Sequence, residues 1–442
     1  MIKSDSRKIK EGDTFIALKG VNNDGHEYIL DAIKRGAKKI IAEYGHYEVE
    51  TLIVDDTREY LNNFLYENYY SKIKKLKLIG VTGTNGKTTT CYLLYQTLNM
   101  LNIKCAYIGT LGFYNLEYKQ ELNNTTPDIL DIYEMLLYCA KNDYRYVAME
   151  VSSQGLAYNR LSHILFDYAV FTNLTEDHLD YHKTMDNYAK EKQKLFSKLK
   201  DNSITIINND DSYKDYFKQD SSVTYGFSSS DYVIDNYQSS FLETTFTLNN
   251  RKYTTKLIGK HNVYNLSIVI IILETLQIDY NIIYKVISKL EHAKGRMDAI
   301  NYKDNLIIID YAHTPDAVEK IINSVKNLGS HIITIIGCGG NRDKQKRPIM
   351  GRIATSLSDY VIFTSDNPRN ENPNRIIQDI IQKLDTNNYE IEENREKAIK
   401  KGIQKLNKND ILLLLGKGHE NYQIINGKKY HFSDIEVVLK NI

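Results

Sequence analysis

A glycine-rich turn followed by a lysine and a threonine is the strongest chemical signal in the sequence. It runs from Gly83 to Thr88, between an apolar run and a helical pattern. Backbone N–H groups at such a junction bind phosphate, Lys87 suits the β and γ phosphates, and the Thr88 hydroxyl suits Mg²⁺. The strict phosphate-loop spacing is not met, because Val81 stands where the first glycine belongs. A turn without a nucleotide is the alternative, but Gly, Lys and Thr are poor packing choices here.

Glu150 is the second candidate, near the end of another apolar run. Ligands of open parallel sheets gather outside the carboxyl ends of the strands, so Glu150 can face the glycine turn and hold Mg²⁺. Taken alone, the residue fits a helix-capping or surface carboxylate equally well. The nearby glycine turn favours the metal ligand.

The segment from Thr172 to His182 contains two histidines and two aspartates within a short stretch. Such a set raises the possibility of a zinc hydrolase, but neither a cysteine nor a distant third histidine motif accompanies it. We therefore expect a capped helix start that carries one or two active-site side chains. Downstream, Lys190, Lys192 and Lys194 lie on a predicted helix, and composition alone indicates a solvated face.

Three polar loops follow predicted strands in the last third of the chain. They span 310–316, 339–347 and 366–369, and a fourth motif, 416–420, ends another strand in the same way. Binding loops of a doubly wound sheet belong at these positions. Arg342 and Arg369 could each bind a carboxylate through the guanidinium fork, and solvated charge is the alternative for either one.

The elements that must position these residues alternate between strands and helices. The predicted strands are 14–18, 39–42, 76–81, 146–151, 167–171, 203–207, 306–310, 331–337, 360–364 and 411–415. Helices are predicted around 26–35, 88–101, 316–328 and 374–384. This alternation predicts an α/β fold: a small unit over 1–75, a central unit with a mostly parallel sheet over 76–294, and a Rossmann-like C-terminal unit over 295–442.

Length and composition exclude several classes of protein. A chain of 442 residues is too long for a single small binding module, and its net charge of +1 gives no bulk attraction to nucleic acid or anionic membrane. The four cysteines form no Cys-x-x-Cys pair, which argues against a disulfide framework and a structural zinc site. The polar start and the short apolar runs predict a soluble, cytoplasmic protein.

Six motifs in a fixed order resemble the Mur ligase family, most closely its MurE type. The motifs are 82–89, 125–128, 150–155, 173–182, 295–297 with 310–316, and 366–369. The resemblance covers nearly the whole chain, from Asp5 to Glu420. It implies three domains: an N-terminal one for the UDP end of a substrate, a central P-loop ATPase, and a C-terminal one that brings an amino acid. It also implies ATP and Mg²⁺ as cofactors, and a monomer is expected.

The resemblance to Mur ligases implies roles for the residues that match the motifs of the family. For ATP it implies Gly83, Thr84, Asn85, Gly86, Lys87, Thr88 and Thr89, with Asn262, Asn265, Arg296 and Asp310 at the adenosine part. For Mg²⁺ it implies Thr88, Glu150, His178 and a carbamylated Lys192, and for catalysis Lys87, Glu150, His178 and Lys192. For the nucleotide-sugar peptide it implies Ser6, Asn124, Thr125, Thr126, Ser152, Tyr158 and Arg160. For the added amino acid it implies Arg342, Asp366, Asn367, Pro368, Arg369, Gly416 and Glu420. Tyr158 and Asn341 depart from the residues usual in the family.

The implied reaction is ligation of UDP-MurNAc-L-Ala-D-Glu to a diamino acid through an acyl phosphate. Two anionic reactants must meet, so the main work of the site is charge stabilisation and alignment. A lysine captures CO₂ only when neutral, so the pKa of Lys192 should be lowered by burial or by neighbouring cations. The 366–369 loop resembles the version that accepts meso-diaminopimelate, in which Arg369 can pair with the distal carboxylate and should repel the ammonium of L-lysine.

Other functions stay open at this point. The same reaction with L-lysine or another diamino acid is one, and a related Mur or folylpolyglutamate-type ligase is another. Ser6 with its neighbours and the 366–369 loop argue against the latter. A nucleotide-binding partner protein without ligase activity should have lost Lys87, Glu150 or Lys192, and the sequence keeps all three.

Overall fold

The first sheet of the molecule is small and parallel. The computed structural model describes residues 2–20, 24–293 and 295–442. The strands of this sheet, in spatial order, are β1 (Ile2–Lys3), β2 (Thr14–Ile16), β3 (Lys39–Ala42) and β4 (Glu50–Ile53). Helix α1 (Ile29–Lys34) packs on one face and α2 (Thr57–Ile73) on the other, where α2 also contacts the central helix α4 (Ile129–Lys141).

The central sheet has eleven strands, with a parallel core and antiparallel edges. The strands are β5 (Lys77–Thr82), β6 (Cys105–Gly109), β7 (Gly112–Tyr114), β8 (Lys119–Gln120), β9 (Tyr146–Glu150), β10 (Phe166–Phe171), β11 (Leu199–Asn208), β12 (Val223–Gly226), β13 (Tyr232–Ser239), β14 (Thr244–Leu248) and β15 (Arg251–Thr255). Their spatial order is β15-β14-β13-β12-β11-β10-β5-β9-β6-β7-β8. Strands β6, β9, β5, β10, β11 and β12 pair in parallel.

Helices cover both faces of the central sheet. They are α3 (Lys87–Met100), α4 (Ile129–Lys141), α5 (Ser153–Ala157), α6 (Leu179–His182), α7 (Met185–Gln193), α8 (Lys260–Thr275) and α9 (Tyr280–Ile287). One apolar cluster joins α3 and α8 to one face, and a second joins α4 and α7 to the other. Helix α8 is apolar nearly all round, which is typical of a helix buried inside a protein.

The C-terminal region forms a six-stranded sheet with helices on both faces. Its strands are β16 (Asp298–Tyr302), β17 (Asn305–Asp310), β18 (Ile332–Ile336), β19 (Tyr360–Phe363), β20 (Tyr389–Ile391) and β21 (Ile411–Leu415), in the order β16-β17-β21-β18-β19-β20. The helices are α10 (Pro315–Val325), α11 (Lys346–Leu357), α12 (Pro373–Ile381), α13 (Arg395–Gln404) and α14 (Asp434–Asn441). A separate hairpin pairs β22 (Tyr422–Ile425) with β23 (Lys428–His431).

The predicted α/β fold is confirmed, and each of the predicted strand ranges overlaps a strand of the structure. Strands β3 and β21 coincide with the predicted ranges, whereas β11 is longer than predicted. The parallel strands β1, β4, β6, β12 and β20 were not predicted, and neither were the antiparallel strands of the central sheet, β16 and the hairpin. Strand β14 shows why the antiparallel strands were missed: its residues alternate between buried and half-exposed and include three threonines, so it lacks the continuous apolar run of a parallel strand.

The carboxyl ends of the parallel strands determine where polar loops can meet. Strands β10, β5 and β9 are neighbours, and they lead into Thr172, Gly83 and Val151 respectively. In the C-terminal sheet, β17, β21 and β18 are likewise neighbours. The central and the C-terminal sheet therefore each present several loops at one edge. Among the residues described, no helix combines the length and apolarity needed to cross a bilayer.

Candidate active site

The glycine turn after β5 has a backbone that only glycine accommodates at two positions. Gly83 has a φ of 144° and Gly86 a φ of 88°. A Cβ on Gly83 would lie 2.0 Å from Oγ1 of Thr172, and one on Gly86 would lie 2.7 Å from Oδ1 of Asn265. Because the turn passes so close to its neighbours, both positions exclude a side chain. Helix α3 then begins at Lys87, so its first N–H groups follow the turn directly.

The segment after β10 holds the glycine turn in place. Asn173 accepts a hydrogen bond from the backbone N–H of Asn85 on Oδ1 (3.0 Å) and one from the N–H of Thr84 on its carbonyl oxygen (2.7 Å). The hydroxyl of Thr172 donates to the carbonyl of Asn85 at 2.6 Å. These contacts preorganise the turn without using the first N–H groups of α3.

Two lysines meet on one carbonyl of the turn. Lys87 Nζ donates to the carbonyls of Gly83 and Thr84, both at 2.8 Å, and Lys192 Nζ donates to Gly83 at 2.8 Å. The composition-based expectation of a solvated Lys192 is wrong, because this side chain is 1% exposed. Burial, with the charge of Lys87 as a further cause, lowers the pKa of Lys192 well below the ordinary lysine value. Burial also lowers the pKa of Lys87.

Glu150 is fully buried and hydrogen-bonded on both oxygens. Oε2 accepts from the hydroxyls of Thr88 (2.8 Å) and Thr110 (3.2 Å). Oε1 accepts from the hydroxyl of Tyr107 (2.5 Å) and the backbone N–H of Thr110 (2.9 Å). A surface or helix-capping role is therefore excluded. The carboxylate lies beside Thr88, in the first turn of the helix that follows the glycine turn.

Most residues expected at the nucleotide-sugar peptide lie close to Glu150. Thr126 donates to the Glu150 carbonyl at 2.8 Å and accepts from the N–H and hydroxyl of Ser152 at 2.9 and 3.0 Å. Arg160 donates to the carbonyl of Thr126 at 2.9 Å, and its guanidinium lies 5.4 Å from the ring of Tyr158. Thr125 hydrogen-bonds Thr110 through its hydroxyl. Asn124 is exposed. Ser6 is buried elsewhere, in a 3₁₀ turn of the first domain.

The segment around His178 differs from the predicted capped helix start. His178 occupies the N-cap of the four-residue helix α6 with a φ of 54°, and its side chain does not cap the helix. Its Nε2 lies 3.5 Å from the carboxylate of Asp177. His182 instead hydrogen-bonds the hydroxyl of Ser153 at 2.9 Å, a contact the sequence did not predict. Within the described residues, no group of three or more His, Cys, Asp and Glu side chains that could hold a metal ion is found.

The residues expected at the adenosine part connect α8 to the glycine turn. Asn265 accepts from the hydroxyl of Thr90 at 3.2 Å and donates to Asn262 at 3.3 Å. Asn262 in turn donates to the carbonyl of Ile258 at 2.8 Å. Both asparagines are buried, so the start of α8 is fixed against the start of α3.

Two further residues of this set come from the C-terminal region. A guanidinium nitrogen of Arg296 lies 3.5 Å from the Thr88 hydroxyl, and the group sits 4.7 Å from the ring of Tyr311. Asp310 accepts from the N–H groups of Met297 and Ala312, both at 2.7 Å. Burial raises the pKa of Asp310. Arg296 thus brings a positive charge of the C-terminal domain to the first turn of α3.

A second contact between the domains was not predicted. Oδ2 of Asp316, at the start of α10, accepts from the side-chain amide of Asn85 at 2.8 Å and from the hydroxyl of Thr175 at 2.9 Å. Lys320 pairs with the same carboxylate. The glycine turn is therefore bound directly to the C-terminal domain in this arrangement. The sequence signal was weak, because an acidic residue in the first turn of a helix is common without any partner.

The residues expected at the amino acid form a second cluster, at the ends of β19 and β21. Asn367 donates to Glu420 at 2.7 Å, and both Asp366 and Pro368 are buried. A Cβ on Gly416 would lie 2.5 Å from a carboxylate oxygen of Asp366. Arg369 has a φ of 52° and donates to the carbonyl of Gly340 at 2.8 Å. Arg342 is exposed.

Sequence reasoning missed two buried cations beside this cluster. Arg347 donates to both oxygens of Glu371 at 3.0 Å and to Asp379 at 2.7 Å. Its hydrogen bonds lower the pKa of Glu371 to about 2. Lys417 is also fully buried. Both belong to polar motifs in which composition alone does not distinguish a buried cation from a solvated one.

Family models match the three regions of the chain. Residues 81–273 match the Mur ligase middle domain, 295–418 the Mur ligase glutamate ligase domain, and 1–69 the Mur ligase family catalytic domain. A relative from Fusobacterium nucleatum is 43% identical, and the alignment covers 100% of this chain and 93% of the relative. The chain belongs to the Mur ligase family. The resemblance found in its motifs is thereby confirmed.

Two relatives and one solved structure carry the same name. The Fusobacterium nucleatum relative is named UDP-N-acetylmuramoyl-L-alanyl-D-glutamate--2,6-diaminopimelate ligase, and so is a relative from Aquifex aeolicus with 39% identity over 99% of this chain and 92% of the relative. A solved structure described by the same name is 33% identical, covers 100% of this chain and 94% of its own, and has a TM-score of 0.69. A MurF ligase from Thermotoga maritima in complex with ADP, at 20% identity, 99% and 96% coverage and a TM-score of 0.71, shares the fold.

Proposed function

We propose that this Mur ligase uses ATP to join 2,6-diaminopimelate to UDP-N-acetylmuramoyl-L-alanyl-D-glutamate in peptidoglycan precursor synthesis. One observation carries the proposal: Lys87 and Lys192 meet on the carbonyl of Gly83, in a glycine turn whose helix begins beside the buried carboxylate of Glu150. The names of relatives with 39 and 43% identity supply the substrates. In this proposal residues 1–75 receive the UDP end, 76–294 ATP, and 295–442 the amino acid, and the protein acts in the cytoplasm.

The first chemical step needs an anion to attack an anion. An oxygen of the D-Glu side-chain carboxylate attacks the γ-phosphorus of ATP, the bond to the bridging oxygen breaks, and ADP leaves an acyl phosphate. Lys87 and the N–H groups of α3 neutralise the transferring phosphoryl group, which lowers the repulsion between the two reactants. Arg296, 3.5 Å from Thr88, adds a positive charge from the C-terminal domain.

The second step forms the amide. The neutral amine of diaminopimelate attacks the acyl carbon, the nitrogen loses one proton to solvent, and phosphate leaves from the tetrahedral intermediate. The contribution of the protein here is alignment, because the amine comes from the C-terminal domain and the acyl phosphate from the central one. The hydrogen bonds from Asn85 and Thr175 to Asp316 support such an arrangement of the two domains.

The residues fit Mg²⁺ and a carbamate. The carboxylate of Glu150 and the hydroxyl of Thr88 are oxygen donors held 2.8 Å apart, which suits a hard cation, and His178 and the carbamate of Lys192 complete the proposed set. When bound, Mg²⁺ would neutralise phosphate charge. The lowered pKa of Lys192 supports carbamylation, since only the neutral amine attacks CO₂; the new N–C bond replaces an N–H bond, whose proton goes to solvent.

The choice of diaminopimelate rests on the second cluster. Arg369 offers a guanidinium for a distal carboxylate, and Glu420 and Asp366 offer negative charge for an ammonium. L-Lysine has the distal ammonium but no distal carboxylate, so it would leave Arg369 without its partner. Diaminopimelate has both a distal carboxylate for Arg369 and a distal ammonium for Glu420 and Asp366.

Phosphate release tests the proposal. Purified protein with ATP, Mg²⁺ and UDP-N-acetylmuramoyl-L-alanyl-D-glutamate should release phosphate when meso-diaminopimelate is added, and much less with L-lysine at the same concentration. Mass spectrometry of the nucleotide product should show the added diaminopimelate. A clear preference for L-lysine would refute the assignment of the amino acid, and no nucleotide consumption with any diamino acid would refute the ligase.

A further inference from the structure

The hairpin β22–β23 fixes the loop that contains Arg369. The N–H of Arg369 donates to the carbonyl of Ile424 at 2.9 Å, and the N–H of Asn426 donates to the carbonyl of Arg369 at 2.6 Å. The N–H of Ile424 also donates to Oδ1 of Asn367 at 2.9 Å. These hydrogen bonds hold Arg369 at its φ of 52°, which a residue with a Cβ rarely adopts. The hairpin therefore acts as a support for the second cluster.

Lys417 lies between this hairpin and the cluster. Its side chain is 0% exposed, and Nζ donates to the carbonyl of Tyr422 at 2.6 Å, to Oε2 of Glu420 at 3.1 Å and to Oδ1 of Asn367 at 3.4 Å. A lysine ammonium has three protons, and three protein acceptors surround this one. Lys417 is thus placed to hold protein groups and not to contact a ligand.

The carboxylate of Glu420 is oriented by two donors on the same oxygen. Oε2 accepts from Lys417 and from the side-chain amide of Asn367 at 2.7 Å, and neither donor engages Oε1. Asn367 is itself fixed on both ends, since its Oδ1 accepts from Ile424 and Lys417. Without the ammonium, Glu420 would keep a negative charge in a largely buried site beside Asp366, which is unfavourable.

We propose that Lys417 is a positioning residue for the added amino acid: through Glu420 and Asn367 it shapes the site that receives an ammonium–carboxylate end of 2,6-diaminopimelate. The inference rests on the proposed function and deepens it. Lys417 acts through Glu420, so its loss should affect the binding of diaminopimelate and leave the glycine turn and Glu150, on the central domain, unchanged.

The test compares Lys417→Met with Lys428→Met, a change of the same type at an exposed position of the hairpin. Lys417→Met should raise KM for diaminopimelate at least about tenfold and leave KM for ATP within about twofold, and Lys428→Met should leave both within about twofold. An unchanged KM for diaminopimelate, or an equal rise for both substrates, would overturn the proposal. Activity of the wild-type protein with diaminopimelate is measured alongside, and its absence would refute the proposed function instead.

A double-mutant cycle separates positioning from general damage. If Lys417 acts through Glu420, Lys417→Met in a Glu420→Gln background should add less than about twofold to the rise in KM for diaminopimelate. Multiplicative effects of the two changes would overturn the proposed route. If Lys417→Met shows no cooperative thermal transition, the test uses Lys417→Arg, which keeps the positive charge but replaces the compact ammonium by a planar guanidinium. Lys417→Arg should also raise KM for diaminopimelate. A wild-type KM would contradict the positioning role.

Discussion

Replacing Lys192 by methionine should make the protein more stable and inactive. Lys192 is 1% exposed, and among the described residues its Nζ has one hydrogen bond, at 2.8 Å, to a carbonyl that Lys87 also uses. The two nitrogens are therefore no farther apart than twice that distance. Methionine keeps a flexible apolar side chain of similar length and removes the charge.

The expected increase in the free energy of unfolding of Lys192→Met follows from two opposing contributions. Burying an ammonium costs several kcal/mol, and a hydrogen bond from a charged group returns only about 1.5–3 kcal/mol. Repulsion from Lys87 adds to the cost. In buffer free of CO₂ at pH 7, we therefore expect Lys192→Met to exceed the wild type in stability by about 1–3 kcal/mol. Bicarbonate should stabilise the wild type alone, because a carbamate replaces the buried cation by an anion beside Lys87.

The stability of the wild-type protein should depend on pH with a definite sign. Since the pKa of Lys192 is lowered in the folded protein, the unfolded chain binds one more proton than the native state between that lowered pKa and the ordinary lysine value. Wild-type stability therefore rises with pH across this window. The stability difference between Lys192→Met and the wild type should shrink as the pH is raised from 7 to 9.

Thermal melting in CO₂-free buffer at both pH values measures this difference. The control is Lys190→Met on the same helix, because Lys190 is 62% exposed and its ion pair with Asp186 contributes little. The control should melt near the wild type at both pH values. A Lys192→Met variant that melts below the wild type, with no dependence on pH, would show that Lys192 is a stabilising structural cation and would refute the reasoning.

Three further predictions concern Glu150, the second cluster and the C-terminal core. Glu150→Gln should weaken Mn²⁺ binding in the presence of ATP at least about tenfold by electron paramagnetic resonance, and unchanged binding would exclude Glu150 as a ligand. Arg369→Ala should weaken the use of diaminopimelate by about 1.5–3 kcal/mol, and an unchanged KM would contradict its role. Asp434→Ala leaves the fully buried guanidinium of Arg395 without its partner, so urea unfolding should show a loss of about 3–5 kcal/mol; a loss below about 1 kcal/mol would disprove a stabilising pair.

The sequence allowed ten of the strands and the glycine turn to be predicted, because both depend on local signals; the buried parallel strand β6 was missed. Apolar runs such as β21 and the residues from Gly83 to Thr88 need no knowledge of distant contacts. The burial of Lys192 and Lys417 could not be predicted from local signals, because it depends on hydrogen-bond acceptors outside their own segments. Lys192 donates to the glycine turn, and Lys417 donates to the hairpin. Composition treats such a residue as solvated. The antiparallel edges were missed for a related reason, as their half-exposed strands carry polar residues.

Family motifs supplied the site where local patterns could not. They pointed to Glu150 and Arg369, whose surroundings the structure then describes. The 310–316 motif includes Asp316 but gave it no role, because its contact with Asn85 joins two domains. Contacts between domains depend on their arrangement, which no single segment encodes.

Transfer of an isotopic label tests the central claim most directly. The substrate UDP-N-acetylmuramoyl-L-alanyl-D-glutamate is prepared with ¹⁸O in the side-chain carboxylate of D-Glu and incubated with the protein, ATP, Mg²⁺ and meso-diaminopimelate. If that carboxylate attacks the γ-phosphorus at the glycine turn, the released phosphate contains one ¹⁸O atom for each amide formed. Unlabelled phosphate released together with amide product would contradict the account.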